Sequence, residues 1–116
     1  MNEIVVRTSP CITSDIVKHI NAHLAKAARK HPKFCDELTN SWSAYHYYTR
    51  MKKCKAYSES NCNGETVLDE EVSEALYAIA SEDWLHARSE IFDAIAVLLR
   101  MDAEIVGRIE EGILNG

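Results

Sequence analysis

The chain has 116 residues, 47% hydrophobic and 27% charged, which is enough apolar material for one domain core and too little for two. Its 13 Lys and Arg stand against 18 Asp and Glu, a net charge of -5 that is the reverse of what a phosphate-coating nucleic-acid binder carries. Four glycines and two prolines are too few for long flexible linkers, collagen-like repeats or a turn-dense β-sandwich.

No apolar run approaches the roughly 18 residues needed to span a bilayer, so no membrane association is expected. The stretch from Met1 to Ile12 contains Glu3 and lacks the basic-then-apolar order of a secretory signal. Cys11, Cys35, Cys54 and Cys62 form no C-x-x-C pair. They are expected to be reduced thiols of a cytoplasmic protein, packed as small apolar residues.

In chain order, a short tail with Ile4, Val5 and Val6 leads to two candidate helix starts, Ser9-Pro10 and Thr13-Ser14. From Asp15 to Lys30, Ile16, Ile20, Leu24 and Ala27 recur at helical spacing, and His31-Pro32 ends that pattern. A less regular second helix is expected from Asp36 to Ala56, with the aromatic residues Trp42, Tyr45, Tyr47 and Tyr48 followed by the basic Arg50, Lys52, Lys53 and Lys55. Ser58 to Glu65 reads as a polar loop. A third helix is expected from Thr66 to Ala80, with Leu68, Val72, Ala75 and Ile79 on one stripe. Ser81-Glu82-Asp83 reads as a break and a new N-cap. The last helix is expected from Asp83 to Glu111, with Ile91, Ala94, Ile95, Leu98 and Ile105 facing the core and Gly112 at its end. The expected architecture is a single all-α domain over residues 1–116, a four-helix-type bundle. Its surplus apolar residues call for completion by self-association.

The chemistry concentrates on the third and fourth helices. Glu71 and Glu74 are three residues apart and therefore neighbours on one helical face, and Glu90 and Asp93 repeat the spacing. The short connection makes the two helices antiparallel and turns the pairs toward each other. Four converging carboxylates repel unless a cation neutralises them, and oxygen-only ligation suits Mg²⁺ or Mn²⁺ and not zinc. The competing reading is a solvated acidic face.

Val67 to Leu76 (VLDEEVSEAL) and Arg88 to Val97 (RSEIFDAIAV) resemble the all-α nucleoside triphosphate pyrophosphohydrolases of the MazG-like superfamily, whose pattern is E-E-x-x-E followed by E-x-x-D. Glu70, Glu71 and Glu74 fill the first half and Glu90 and Asp93 the second. The similarity covers Glu65 to Met101, and His31-Pro32-Lys33-Phe34 is reminiscent of a segment in the short, phage-type branch. The resemblance implies Mg²⁺-dependent hydrolysis of a (deoxy)nucleoside triphosphate to the monophosphate and pyrophosphate, by water attack at the α-phosphorus. It implies metal contact by Glu71, Glu74, Glu90 and Asp93, with Glu70 a further candidate, and a homodimer or homotetramer with sites near the subunit interface. Glu71 is the candidate to orient or deprotonate the water.

A polyanion at an acidic site also needs cationic help. Arg100, two turns after Asp93, suits a phosphate contact or an ion pair with Glu104. Lys53 suits a phosphate contact or a solvated basic face, and Trp42 suits base stacking or packing. His19 and His23 have a zinc-compatible spacing but no thiolate or acid at a matching position, so they read as a surface or half-buried pair. Two alternatives to the triphosphatase reading stay open, a phosphoribosyl-ATP pyrophosphohydrolase and a non-catalytic helical interaction module.

Overall fold

The computed structural model describes residues 11–33 and 37–115, with side chains up to Ile113. The tail with Ile4, Val5 and Val6, the Ser9-Pro10 start, and Phe34, Cys35 and Asp36 lie outside the described residues. Four α-helices account for most of the rest, and no strand occurs among the described residues. The chain divides into two compact units, Met1–Asp36 and Glu37–Gly116.

In the first unit, α1 spans Ser14–Lys30. Thr13 supplies the N-cap, its hydroxyl accepting the Ile16 N–H at 3.2 Å, so the second of the two candidate starts is used. Asp15 in the first turn and Arg29 and Lys30 in the last complement the helix dipole. The helix stops before Pro32, whose ring disfavours helical angles at His31. His19 Nε2 lies 3.7 Å from Asp15, and no residue of α1 is buried, although its apolar stripe forms as expected.

The second unit holds α2 (Ala44–Ser60), α3 (Gly64–Ala80) and α4 (Trp84–Asn115). The second helix thus begins well after Asp36. Ser43 is the residue that caps it, accepting the His46 N–H at 3.3 Å, and residues 37–42 before it hold bends and no helix. It also runs further than expected, to Ser60, so the loop foreseen over Ser58 to Glu65 shrinks to residues 61–63. Three residues suffice because Asn63 and Thr66 form a reciprocal capping box. Asn63 Oδ1 accepts from Thr66 N–H, and Thr66 Oγ1 accepts from Asn63 N–H, each at 3.0 Å.

The turn between α3 and α4 is equally short. Glu82 N–H donates to the Ile79 carbonyl and Asp83 N–H to the Ala78 carbonyl, each at 3.0 Å, the bonding of a Schellman turn. Glu82 takes φ 58°, a left-handed position where glycine is usual, at a cost on the order of 1 kcal/mol. Asp83 then caps α4, its Oδ1 accepting the His86 N–H at 3.4 Å. The last helix does not end at Glu111 but passes through Gly112 to Asn115.

Two such turns make the three helices antiparallel in sequence, with α3 packed against both neighbours. The Tyr48 and Tyr77 rings meet edge-on at 5.4 Å between α2 and α3. Between α3 and α4, a Cβ at Gly64 would lie 3.5 Å from the Met101 side chain. The buried positions are mostly small: Ser58 on α2, Thr66, Ser73, Ala75 and Ala78 on α3, and Ala87 on α4, with Tyr47 and Glu90 the large exceptions. Small side chains let helix axes approach closely, and they displace the expected core. Val72, Ile91 and Ile95 are exposed, Leu98 is 50% exposed and Ile105 54%. The reason is register. The α3–α4 contact runs through alanines and Glu90 rather than through the isoleucine stripe, and α4 continues past Met101, the level at which α3 begins. The cysteines depart from expectation too, since Cys11 and Cys62 are exposed and Cys54 half-buried. Cys54 and Cys62 form no disulfide.

Candidate metal centre

The register that sets Gly64 against Met101 carries about two turns along both helices to place Glu71 opposite Asp93, and about three to place Glu74 opposite Glu90. One carboxylate oxygen from each of Glu71, Glu90 and Asp93 lies within 4.8 Å of the others. That separation is close to the roughly 4.2 Å between opposite ligands of an octahedral Mg²⁺. The three residues grade from buried to open: Glu90 is 9% exposed, Glu71 half-buried and Asp93 exposed. The cluster is therefore anchored inside the helix contact and opens to solvent at Asp93.

Glu90 defines its electrostatics. Its Oε2 is buried without a hydrogen-bond partner, while Oε1 faces His86 Nε2 at 3.5 Å. Burial, then Glu74, Asp93 and Glu71, push its carboxyl up to about 7. Glu74 sits near enough to share a hydrogen bond with Glu90 when one of the two is protonated, which two ionised carboxylates cannot do. Glu71 is also raised, first by burial and then by Glu74, Asp93 and Glu70, with a hydrogen bond to Glu90 working the other way. Such a set is uncomfortable when ionised and empty of cations, and an orphaned buried carboxylate oxygen is the kind of donor a hard cation satisfies.

Of the five expected ligands, three converge, Glu74 backs Glu90, and Glu70 stands apart. Glu70 acts on Glu71 through its charge and lies outside the converging set. Arg100 is exposed two turns beyond Asp93 on α4. Trp42 and Lys53 belong to another part of the unit. Trp42 packs its ring at 4.2 Å from His46 and 5.7 Å from Tyr47, and Lys53 lines a groove on α2. His86 was not foreseen at the acidic cluster. Its signal was the i,i+4 spacing to Glu90, which places the two side chains one above the other.

No family model matches the chain, and neither the curated proteins nor the solved structures contain a match to it.

Proposed function

We propose that the protein is a divalent-cation-dependent pyrophosphohydrolase that cleaves a (deoxy)nucleoside triphosphate to the monophosphate and pyrophosphate. The observation that supports this most is the convergence of one carboxylate oxygen each from Glu71, Glu90 and Asp93, carried on two helices, with Glu90 Oε2 buried and without a hydrogen-bond partner. The E-E-x-x-E and E-x-x-D pattern, which resembles the MazG-like enzymes, supports it from the sequence side.

In this reading Glu71, Glu90 and Asp93 hold Mg²⁺, or Mn²⁺ in its place, with Glu74 behind Glu90. When bound, the ion would neutralise phosphate charge and acidify a water for attack at the α-phosphorus. Glu71, half-buried and with a raised pKa, orients that water and takes its proton. Exposed Asp93 meets the substrate side, and Arg100 offers a cation to the departing pyrophosphate. His86 would orient Glu90 through its Oε1.

The test is pyrophosphate release from a panel of ribo- and deoxyribonucleoside triphosphates with Mg²⁺, with Mn²⁺ and with chelator. Release matched by monophosphate and abolished by chelator is expected. No turnover on any triphosphate, together with no thermal shift on adding either cation, would leave a non-catalytic helical module.

The second part of the proposal concerns assembly. Phe92, Leu98, Ile105, Ile109 and Ile113 are large apolar residues exposed along α4, and no helix among the described residues is long and apolar enough to cross a membrane. A second copy of the chain is the partner proposed for that face, giving a homodimer or a homotetramer. Light scattering at micromolar concentration is expected to return at least twice the 13.1 kDa chain mass. A monomer would exclude it.

A further inference from the structure

An open groove of about 570 Å³ lies on α2. Among the described residues it is lined by Ser43, Tyr45, His46, Thr49, Arg50 and Lys53. None of these belongs to α3 or α4, which carry the carboxylates, so the groove is a separate place on the molecule. Its volume lies within the range of small-ligand sites, roughly 300 to 1,000 Å³.

The charge of this helix opposes that of the whole chain. A protein of net charge -5 carries Arg50, Lys52, Lys53 and Lys55 within two turns of α2, against a single acid, Glu59. Among the described residues, neither Arg50 nor Lys53 lies in an ion pair, whereas Lys52 is engaged over the Tyr48 ring at 5.7 Å. Arg50 and Lys53 are three apart, hence neighbours on the helix surface. A solvated basic face explains the lysines alone. It does not explain why the cations border a concavity whose other end is aromatic.

That other end is built. Trp42 packs at a tilt of 56° against the imidazole of His46, with ring centroids at 4.2 Å, and Tyr45 is backed by the stacked Tyr48 ring at 6.4 Å. Ser43 Oγ accepts the His46 N–H, which leaves its own hydroxyl proton to donate. The Thr49 hydroxyl donates to the Tyr45 carbonyl at 3.0 Å, so its oxygen is left to accept. From Ser43 to Lys53 the helix rises about 15 Å, the scale of one mononucleotide laid along it.

We propose that this groove binds a nucleoside phosphate independently of the acidic cluster, with the phosphates against Arg50 and Lys53 and the planar base against Tyr45 and His46. Guanidinium and ammonium groups at one end select an anion, and rings at the other select a ligand with a π-face. The proposal does not depend on the chain being a pyrophosphohydrolase.

The experiment is calorimetric titration of the full chain with ATP as probe, in excess chelator, which removes cation-dependent binding at the carboxylates. Saturable binding is expected. Arg50→Glu with Lys53→Glu should weaken it by about a hundredfold, since two attractive contacts become repulsive. Tyr45→Ala should weaken it by about tenfold, the value of one stacked base. All three side chains sit at the surface of the helix, and circular dichroism of each variant verifies folding. Glu71→Gln should leave the affinity unchanged. Absence of saturable binding, insensitivity to the double charge reversal, or loss of binding in Glu71→Gln would each overturn the proposal. Inorganic pyrophosphate binding as tightly as ATP would reduce the groove to a bare anion site. An oligothymidylate binding at least tenfold tighter would reassign it to single-stranded nucleic acid.

Discussion

Replacing Glu71 with Gln is expected to lower pyrophosphate release by on the order of a thousandfold while leaving the helix content intact. Glu71 is half-buried, and one of its oxygens lies within 4.8 Å of ligand atoms of both Glu90 and Asp93. An amide keeps the shape of the side chain but removes one anionic ligand and any capacity to accept the proton of a water. Asp93→Asn should act similarly through cation affinity, and its defect should shrink as the Mg²⁺ concentration rises. Rates of pyrophosphate release, read beside circular dichroism, separate catalytic loss from unfolding. Turnover within about tenfold of wild type in both folded variants would remove the acidic cluster from the chemistry.

Glu90→Gln has the opposite consequence for stability. In the cation-free protein this carboxyl is buried, borders Glu74, Asp93 and Glu71, and is held up at about 7. A carboxyl whose folded pKa is raised costs nothing below its unfolded value near 4.5, where it is protonated in both states. As pH climbs from about 4.5 to about 7, the unfolded chain has released that proton and the folded chain still holds it. Stability therefore falls across this window and levels off above it. The accumulated cost is about 3 kcal/mol. The amide carries no charge, so the variant should be more stable than wild type at pH 7.5 in chelator, by roughly 10 to 20 °C in Tm for a domain of this size. The two should converge near pH 4.5. Mg²⁺ should raise the Tm of the wild type and not of the variant. A wild-type Tm that is flat between pH 5 and pH 7.5, or a variant that is less stable at neutral pH, would contradict the account of Glu90.

Both expectations rest on the same arrangement, in which stability is lost locally to assemble charge. Alanines at positions 75, 78 and 87 bring α3 and α4 close together, and Glu90 occupies a position where a small apolar residue would pack more favourably. A buried carboxylate beside three like charges is tolerated where a bound cation offsets it.

Much of this was legible in the residues themselves. Helix α1 shows its cap at Thr13, its apolar stripe and its stop at His31-Pro32 within a few residues of each event, and it forms where those signals lie. The paired acids at i and i+3 on successive helices were equally visible, because neighbours on a helical face follow from the backbone period alone. Boundaries set by competing short signals were less so. Ser43 and Asn63, each a single polar residue among several, decide where α2 and α3 begin, and the capping bonds that select them are visible only in three dimensions.

The sequence by itself determined that the chain is helical, which residues share a helical face, and that Glu71 neighbours Glu74 on one helix and Glu90 neighbours Asp93 on the next, since all three follow from hydrogen bonding and periodicity within a few turns. The tertiary structure alone decided which of those faces is covered. The two three-residue turns fix the register of α2, α3 and α4. That register buries Glu90 rather than Ile91, sets Glu71 against Asp93, and leaves Glu70 outside the converging set. It also places the basic and aromatic residues of α2 around a groove apart from the acids. Burial and charge convergence depend on separations between residues distant in the chain, and local periodicity carries no information about those separations.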